Sequence, residues 1–267
     1  MKILNITLIS LLLFLGLSCK KTANNDLTAA EIASDQDASL AFTLLSVEGL
    51  SNEMEFIARQ LTLNPTANNF LSCGNITSQN ITDGKRFEID FNLTSACSDN
   101  SFRAGKLIVT YQTATGNILI TPENYVIAEY KVTGSYLFQP VVEQQKELLK
   151  LTITNGQLTN ADDDYVKFNV EHKTNFKEGQ GTPQTPADDV LETVSATYRL
   201  EVKNQAGSVN SVYEASSASP YILKYSCTEK FRPRSGKMKF QRTVGIDRYI
   251  LFGTGNCSDL AKVSPTP

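Results

Sequence analysis

Several residue types on which common catalytic sites depend are rare or missing in this sequence. The 267 residues contain no tryptophan and a single histidine, His172. The G-x-S-x-G elbow, the H-E-x-x-H helix, the P-loop and the dinucleotide fingerprint are all absent from the sequence. The 25 basic and 28 acidic residues give a net charge of -3 without a basic stripe. These absences argue against serine hydrolases, zinc proteases and nucleotide-dependent enzymes, and against nucleic-acid binding.

The one long apolar run of the sequence lies at its N-terminus. Lys2 precedes an apolar stretch over residues 3–17, and the small residue Ser18 follows it, which is the three-part pattern of a secretory signal peptide. The stretch of about 15 residues is shorter than the roughly 20 that a membrane-spanning helix needs. Cys19 stands where a lipoprotein signal peptidase would cut, so we expect it to carry lipid, palmitate included. A plain secretory signal beside a coincidental cysteine is the alternative.

The sequence therefore predicts three consecutive parts. Residues 1–18 are a signal peptide, 19–26 a flexible tether and 27–267 a single β-rich domain. A polar loop rich in glycine and proline at 176–190 is either a long surface loop or the boundary between two related halves. Since no later segment reaches the length of a membrane span, we expect the folded part to meet the membrane through the lipid on Cys19.

Hydrophobic periodicity predicts a mainly β fold: an antiparallel sheet, as a sandwich or an open or closed barrel-like sheet, with a short N-terminal helical segment. A capping box starts at Thr28, and we expect a helix that Gly49 breaks, followed by a second helix from Ser51 to residue 62. From residue 85 onward the period becomes two. Strands are predicted at 85–91, 107–111, 117–121, 124–138, 147–155, 164–172, 192–204, 208–216, 219–226, 236–243 and 247–252.

Four cysteines remain after Cys19, and an even set in an exported protein predicts disulfides. Residues 89–99 resemble residues 250–259, and both stretches contain Cys-Ser-Asp. This weak duplication favours one bridge in each half, Cys73–Cys97 and Cys227–Cys257. Crossed pairings and a chance similarity stay open at this point, whereas zinc binding would require C-x-x-C pairs that the sequence lacks.

A few side chains are candidates for chemistry, each with a plainer interpretation. His172 is either a general base or an exposed histidine at a strand end. Asp162, Asp163 and Asp164 form either a Ca²⁺ site or a solvated hairpin tip. Glu88 and Asp90 share a strand face, which we expect to be the polar outer face. The ten tyrosines are either core residues or part of a ligand-binding sheet face. We therefore predict no catalytic, cofactor-binding or metal-binding residues.

The chain resembles uncharacterised lipoproteins of Bacteroidota. The resemblance rests on Ser18–Lys21, the helical N-terminal segment, the strand over residues 103–111 and the closing stretch over residues 252–259. It covers most of the chain after Cys19 and implies no catalytic residues. It also implies a lipid-anchored position at the outer membrane, with the periplasmic and the cell-surface face both open.

Taken together, these features predict a cell-envelope lipoprotein that acts as a non-enzymatic binding or structural module. We expect it to contact the membrane through the lipid on Cys19 and to need no cofactor. The sequence does not specify its ligand, which could be a protein or a glycan. The alternative is a hydrolase of envelope polymers that uses carboxylates from loops.

Overall fold

The structure is a computed structural model and describes residues 29–63, 73–91, 97, 102–203, 211–229, 231–242 and 246–267. The chain divides into two compact units, residues 1–36 and residues 37–267. In the first unit the structure describes the backbone of residues 29–36, which is helical. The predicted signal peptide, Cys19 and the tether lie outside the described residues. All the contacts below belong to the second unit.

One α-helix, α1, spans Ala29–Leu63 without interruption. The prediction that Gly49 would break it into two helices is wrong, whereas the predicted extent of the helical segment, to residue 62, is confirmed. A glycine inside a helix costs only about 1 kcal/mol relative to alanine. The neighbours Val47 and Leu50 are buried, and their packing outweighs that cost.

Twelve antiparallel strands follow and form one open sheet in which every strand pairs with its neighbours in sequence. This confirms the mainly β, antiparallel prediction, because the described residues beyond α1 add just one 3-10 turn, Pro186–Asp188. The strands are β1 Gly74–Ile81, β2 Gly84–Phe91, β3 Arg103–Gln112, β4 Ile118–Ile127, β5 Tyr130–Glu143, β6 Lys146–Thr159, β7 Tyr165–Glu178, β8 Val190–Lys203, β9 Ser211–Lys224, β10 Ser235–Arg242, β11 Arg248–Thr254 and β12 Lys262–Ser264.

The predicted strands differ from the observed ones mainly at turns and bulges. The predicted strand 124–138 is divided between β4 and β5, with Ala128 at φ 54° in the turn. The predicted strands 208–216 and 219–226 are one strand, β9. Pro220 is accommodated in β9 because it lies where the register shifts against both β8 and β10. The loop at 176–190 joins two strands that pair directly, with Glu178 opposite Val190.

Alternation along the strands separates an inner face, which we define as the face carrying the buried side chains, from an outer one. On β2 the inner face carries Phe87, Ile89 and Phe91, all at most 2% exposed. The intervening Glu88 and Asp90 both lie within ion-pair distance of Lys106 on β3. The predicted polar outer face of β2 is therefore confirmed.

The middle of α1 is buried on every side. Every residue from 50 to 58 is buried. Since a helix completes a turn in 3.6 residues, such a run leaves no side of the helix facing solvent. The helix contacts strands far apart in the sheet. Arg103 at the start of β3 donates a hydrogen bond to Glu53, and Arg248 at the start of β11 donates one to Asp37. The core of the domain is the space between α1 and this curled sheet.

Two disulfides join Cys73 to Cys97 and Cys227 to Cys257, with Cα separations of 4.9 and 5.3 Å. The local pairing is therefore confirmed and the crossed pairings are wrong. The first bond fixes the chain directly before β1. The second links the β9–β10 connection to the segment after β11, where Arg234 donates to the carbonyl of Cys257 at 2.8 Å.

Candidate functional site

Three glutamates of α1, Glu48, Glu53 and Glu55, lie inside the domain and are at most 2% exposed. A carboxylate removed from water is costly unless charged or hydrogen-bonding partners surround it. Each of the three glutamates has such partners on the inner face of the sheet. These three glutamates and their hydrogen-bonding partners form a buried polar network, which is the first candidate site.

Glu53 forms a buried ion pair with Arg103 on β3. The Arg103 Nε lies 2.9 Å from Glu53 Oε1, and both side chains are at most 3% exposed. The hydroxyl of Tyr125 on β4 donates to the same oxygen at 3.2 Å. Burial, followed by the nearby Glu53 carboxylate, raises the pKa of Tyr125 well above its ordinary value. The phenol therefore remains a hydrogen-bond donor at neutral pH.

Glu48 accepts a hydrogen bond from the hydroxyl of Tyr198 on β8. The Tyr198 oxygen is in turn 2.9 Å from that of Tyr221 on β9. Burial is the main reason why the pKa values of both tyrosines lie well above the ordinary range, and Glu48 adds to the effect. Asn52, one turn along the helix, donates to Glu48 at 2.9 Å.

His172 lies within this group, and the prediction of an exposed histidine at a strand end is wrong. It is on the inner face of β7 and is fully buried. Its Nε2 lies 2.9 Å from the Thr193 hydroxyl and 3.9 Å from Glu48 Oε1. Its Nδ1 lies 3.8 Å from Glu55 Oε2. The strand pattern predicts that His172 alternates with Glu171, but it cannot show that the sheet face of His172 meets a helix carrying acids.

Glu55 joins the same group to the C-terminal part of α1. Arg59, one turn later, donates to Glu55 at 2.8 Å and to the hydroxyl of Thr174 on β7 at 2.9 Å. Thr174 also donates to Glu55. Arg59 is 11% exposed at its side chain, and its guanidinium carbon lies 4.4 Å from the ring centre of Phe176. Arg59 is thus the member of the network that reaches toward the surface.

A histidine between two carboxylates has the components of a general base, but the described residues around it leave its side chain fully buried. His172 and Glu48 have no exposed surface, and neither lines either of the two cavities described next. What the network does is fix the position of α1, because sliding or rotating the helix would separate several buried partners at once.

A cleft of about 600 Å³, the end cleft, opens beside the C-terminal end of α1. One part of its wall is apolar or aromatic, and the other is polar, with Arg59 and Thr174 from the edge of the buried network. Its lining consists of Arg59, Thr62, Leu63, Tyr111, Gly116, Ile118, Pro140, Lys146, Glu147, Leu148, Leu149, Thr174, Asn175, Phe176 and Gln180. The volume is within the range of small-molecule sites, which are mostly apolar with a few placed polar groups.

A second depression of about 650 Å³, the outer-face groove, crosses β6–β10 on the outer face. Its charged groups are exposed and paired along the sheet: Arg199 lies 3.2 Å from Glu214, and Glu171 lies 2.9 Å from Lys150. Exposed pairs of this kind contribute about 0–1 kcal/mol to stability. All four charged side chains that line the groove are engaged in ion pairs, and its one aromatic lining residue, Tyr198, uses its hydroxyl to bond Glu48.

The remaining sequence candidates occupy ordinary positions. The Asp162–Asp164 stretch forms the β6–β7 turn, where the Asn160 side chain accepts from the backbone N–H groups of Asp162 and Asp164. No group of three or more His, Cys, Asp or Glu among the described residues is arranged to hold a metal ion. Five of the ten tyrosines are buried in the core: Tyr125, Tyr136, Tyr198, Tyr221 and Tyr225. Tyr111 is the one that lines the end cleft.

Asp189, in the loop before β8, gives the domain a pH-dependent stability. It is 4% exposed, and burial followed by the neighbouring Asp188 raises its pKa to about 6, against the opposing effect of Arg59. The folded state therefore holds this proton more tightly than the unfolded state. The resulting stabilisation is present below about pH 4 and is lost as the pH rises through about 6.

We expect Asp189→Asn to unfold at a higher temperature than the wild type near neutral pH, and the two proteins to converge at about pH 4. Thermal unfolding followed by circular dichroism across this range measures the difference. A difference that stays constant with pH would contradict this assignment.

Among the residues that the structure describes, no helix combines the length and apolar character needed to cross a membrane. The chain matches no known protein-family model, no curated protein and no solved structure.

Proposed function

We propose that this protein is a lipid-anchored component of the cell envelope whose domain is a non-enzymatic binding module, with the end cleft as its ligand site. The observation that carries the proposal is the composition of that cleft. It combines an apolar and aromatic wall with a nearly buried arginine whose position is fixed by the internal network.

The cleft suits a small amphiphile, with an apolar body and an anionic or polar head. Leu63, Tyr111 and Phe176 provide the apolar surface on which such a body would lie. Arg59 uses Nε and Nη2 for Glu55 and Thr174, and its Nη1 makes no hydrogen bond to any residue that the structure describes. That group is a donor for the head, and Lys146 adds a second positive charge.

Binding accounts for the cleft better than hydrolysis does. A glycosidase needs two carboxyl groups facing each other across the scissile bond. Among the described residues that line the end cleft, Glu147 is the one carboxylate, and it belongs to β6 and not to a loop. In the outer-face groove both lining glutamates are engaged in ion pairs with basic neighbours.

A titration with 1-anilinonaphthalene-8-sulfonate, which has an aromatic body and one sulfonate, tests the proposed site. We expect the wild type to bind it and Leu63→Glu to bind it at least about fivefold more weakly, a loss of roughly 1 kcal/mol. Leu63 is 39% exposed at the edge of the cleft, so the substitution is expected to leave the fold intact while it adds a repelling charge.

Val142→Glu is the matched control, since it makes a similar change at an aliphatic side chain that is 73% exposed and does not line the cleft. It should leave the affinity within about twofold of the wild type. Equal affinities of the two variants, at equal thermal stability, would place the dye elsewhere, and a wild type that does not bind the dye would contradict the proposed site.

A further inference from the structure

We propose that the edge strand β1 pairs with β1 of a second copy of this chain, so that two sheets join into one across a two-fold axis. β1 is one edge of the sheet and pairs with β2 along its whole length, Gly74–Ile81. On its other side it pairs with no strand among the described residues. Such an edge presents a row of backbone N–H and C=O groups that can bind another strand.

The composition of β1 lacks the features that usually protect an edge. Its sequence is GNITSQNI, with no charged residue and no proline, and every side chain from Thr77 to Ile81 is exposed. Natural edge strands are commonly protected by lysine, by proline or by being very short. The opposite edge, β12, has two of these protections, because it comprises three residues and includes Lys262.

The edge is also held in an extended conformation before any partner arrives. The disulfide of Cys73 fixes the residue directly before β1, and at the other end Ile81 opposite Gly84 closes a tight hairpin. A strand that is already ordered loses less conformational entropy when it pairs. The unprotected edge of β1 can therefore pair with another strand at a low entropic cost.

A second copy is the occupant that the chemistry favours. In a symmetric antiparallel pair, each residue of β1 faces a residue of the same strand on the same sheet face, so the interface must be complementary to itself. Because β1 has no charge, no like charges oppose one another, and its Asn, Gln, Ser and Thr side chains serve as both donors and acceptors. A partner strand with charges would gain no charge complementarity here.

Cysteine cross-linking of the full mature chain in detergent tests the pairing. A two-fold axis through Thr77 or Ser78 keeps nearly the whole strand paired, so Thr77→Cys or Ser78→Cys should form a covalent dimer under mild oxidation with diamide. Ser195→Cys, also an exposed strand position but in the centre of the sheet, is the matched control and should stay monomeric. Peptide mapping should find the link between the two substituted positions.

Adding Asn75→Lys and Gln79→Lys to these variants should abolish the dimer, because lysines would then lie near one another across the axis. Both sites are exposed, so the monomer should keep its stability. Dimers that form equally fast with and without the lysines, or equally with Ser195→Cys, would overturn the proposal. A link to a different protein, or no cross-link at either position, would overturn it as well. None of these outcomes depends on the end cleft.

Discussion

Replacing Arg103 by alanine is expected to lower the free energy of unfolding by about 3–5 kcal/mol. The substitution leaves the buried Glu53 carboxylate without its cation, and among the described residues the Tyr125 hydroxyl still donates to it. An isolated buried charge is much more costly than the loss of the pair as a whole. Urea denaturation followed by fluorescence or circular dichroism gives the value.

The double variant Glu53→Gln/Arg103→Met separates the charge effect from lost packing. Glutamine keeps an acceptor for Tyr125, and the pair no longer contains a charge, so the double variant should be more stable than Arg103→Ala alone. Arg199→Ala, which breaks an exposed ion pair, should cost less than about 1 kcal/mol. If Arg103→Ala costs no more than Arg199→Ala, the Glu53–Arg103 pair is not a buried determinant of the fold.

The second large effect concerns the proposed lipid anchor. Cys19→Ala is expected to abolish acylation and to move the protein from the membrane pellet to the soluble fraction, because two or three acyl chains are what holds such a protein stably on a bilayer. Labelled palmitate incorporation and fractionation measure both effects. Ser18→Ala, which keeps a small residue before the cysteine, is the control and should stay acylated. Retention of labelled palmitate by Cys19→Ala would contradict the anchor.

The sheet could be predicted from the sequence because its strands obey a simple alternation. Phe87, Ile89 and Phe91 alternate with charged residues and lie on the inner face as expected. The disulfides were also predictable, since a weak duplication placed a pair of cysteines in each half. The edge strands were not predicted: β1 has almost no apolar residues to reveal its period, and β12 comprises three residues.

The helix shows where sequence patterns stop being informative. Glu48, Glu53 and Glu55 are of a residue type that is almost always exposed, yet all three are buried. Whether a polar helix face is buried depends on what surrounds it, and the surrounding partners come from strands far along the chain. Arg103 follows Glu53 by 50 positions and Tyr198 follows Glu48 by 150 positions. No local pattern connects residues so far apart.

The end cleft could not be predicted from local sequence patterns either. It is assembled from the last turn of α1 and from strands β3–β7, so its lining residues are scattered through the sequence. Tyr111 belonged to a group of ten tyrosines among which sequence alone could not choose. Arg59 resembles any exposed helix arginine until Glu55, Thr174 and Phe176 are seen around it.

Native mass spectrometry of the full-length protein, extracted from its own envelope in mild detergent, tests the proposed ligand site most directly. We predict that the wild type and Val142→Glu carry a bound small amphiphile, and that Leu63→Glu, purified in the same way, has lost it. An amphiphile of the same mass and occupancy on both variants, or a wild type that carries none, would contradict the end cleft as the ligand site.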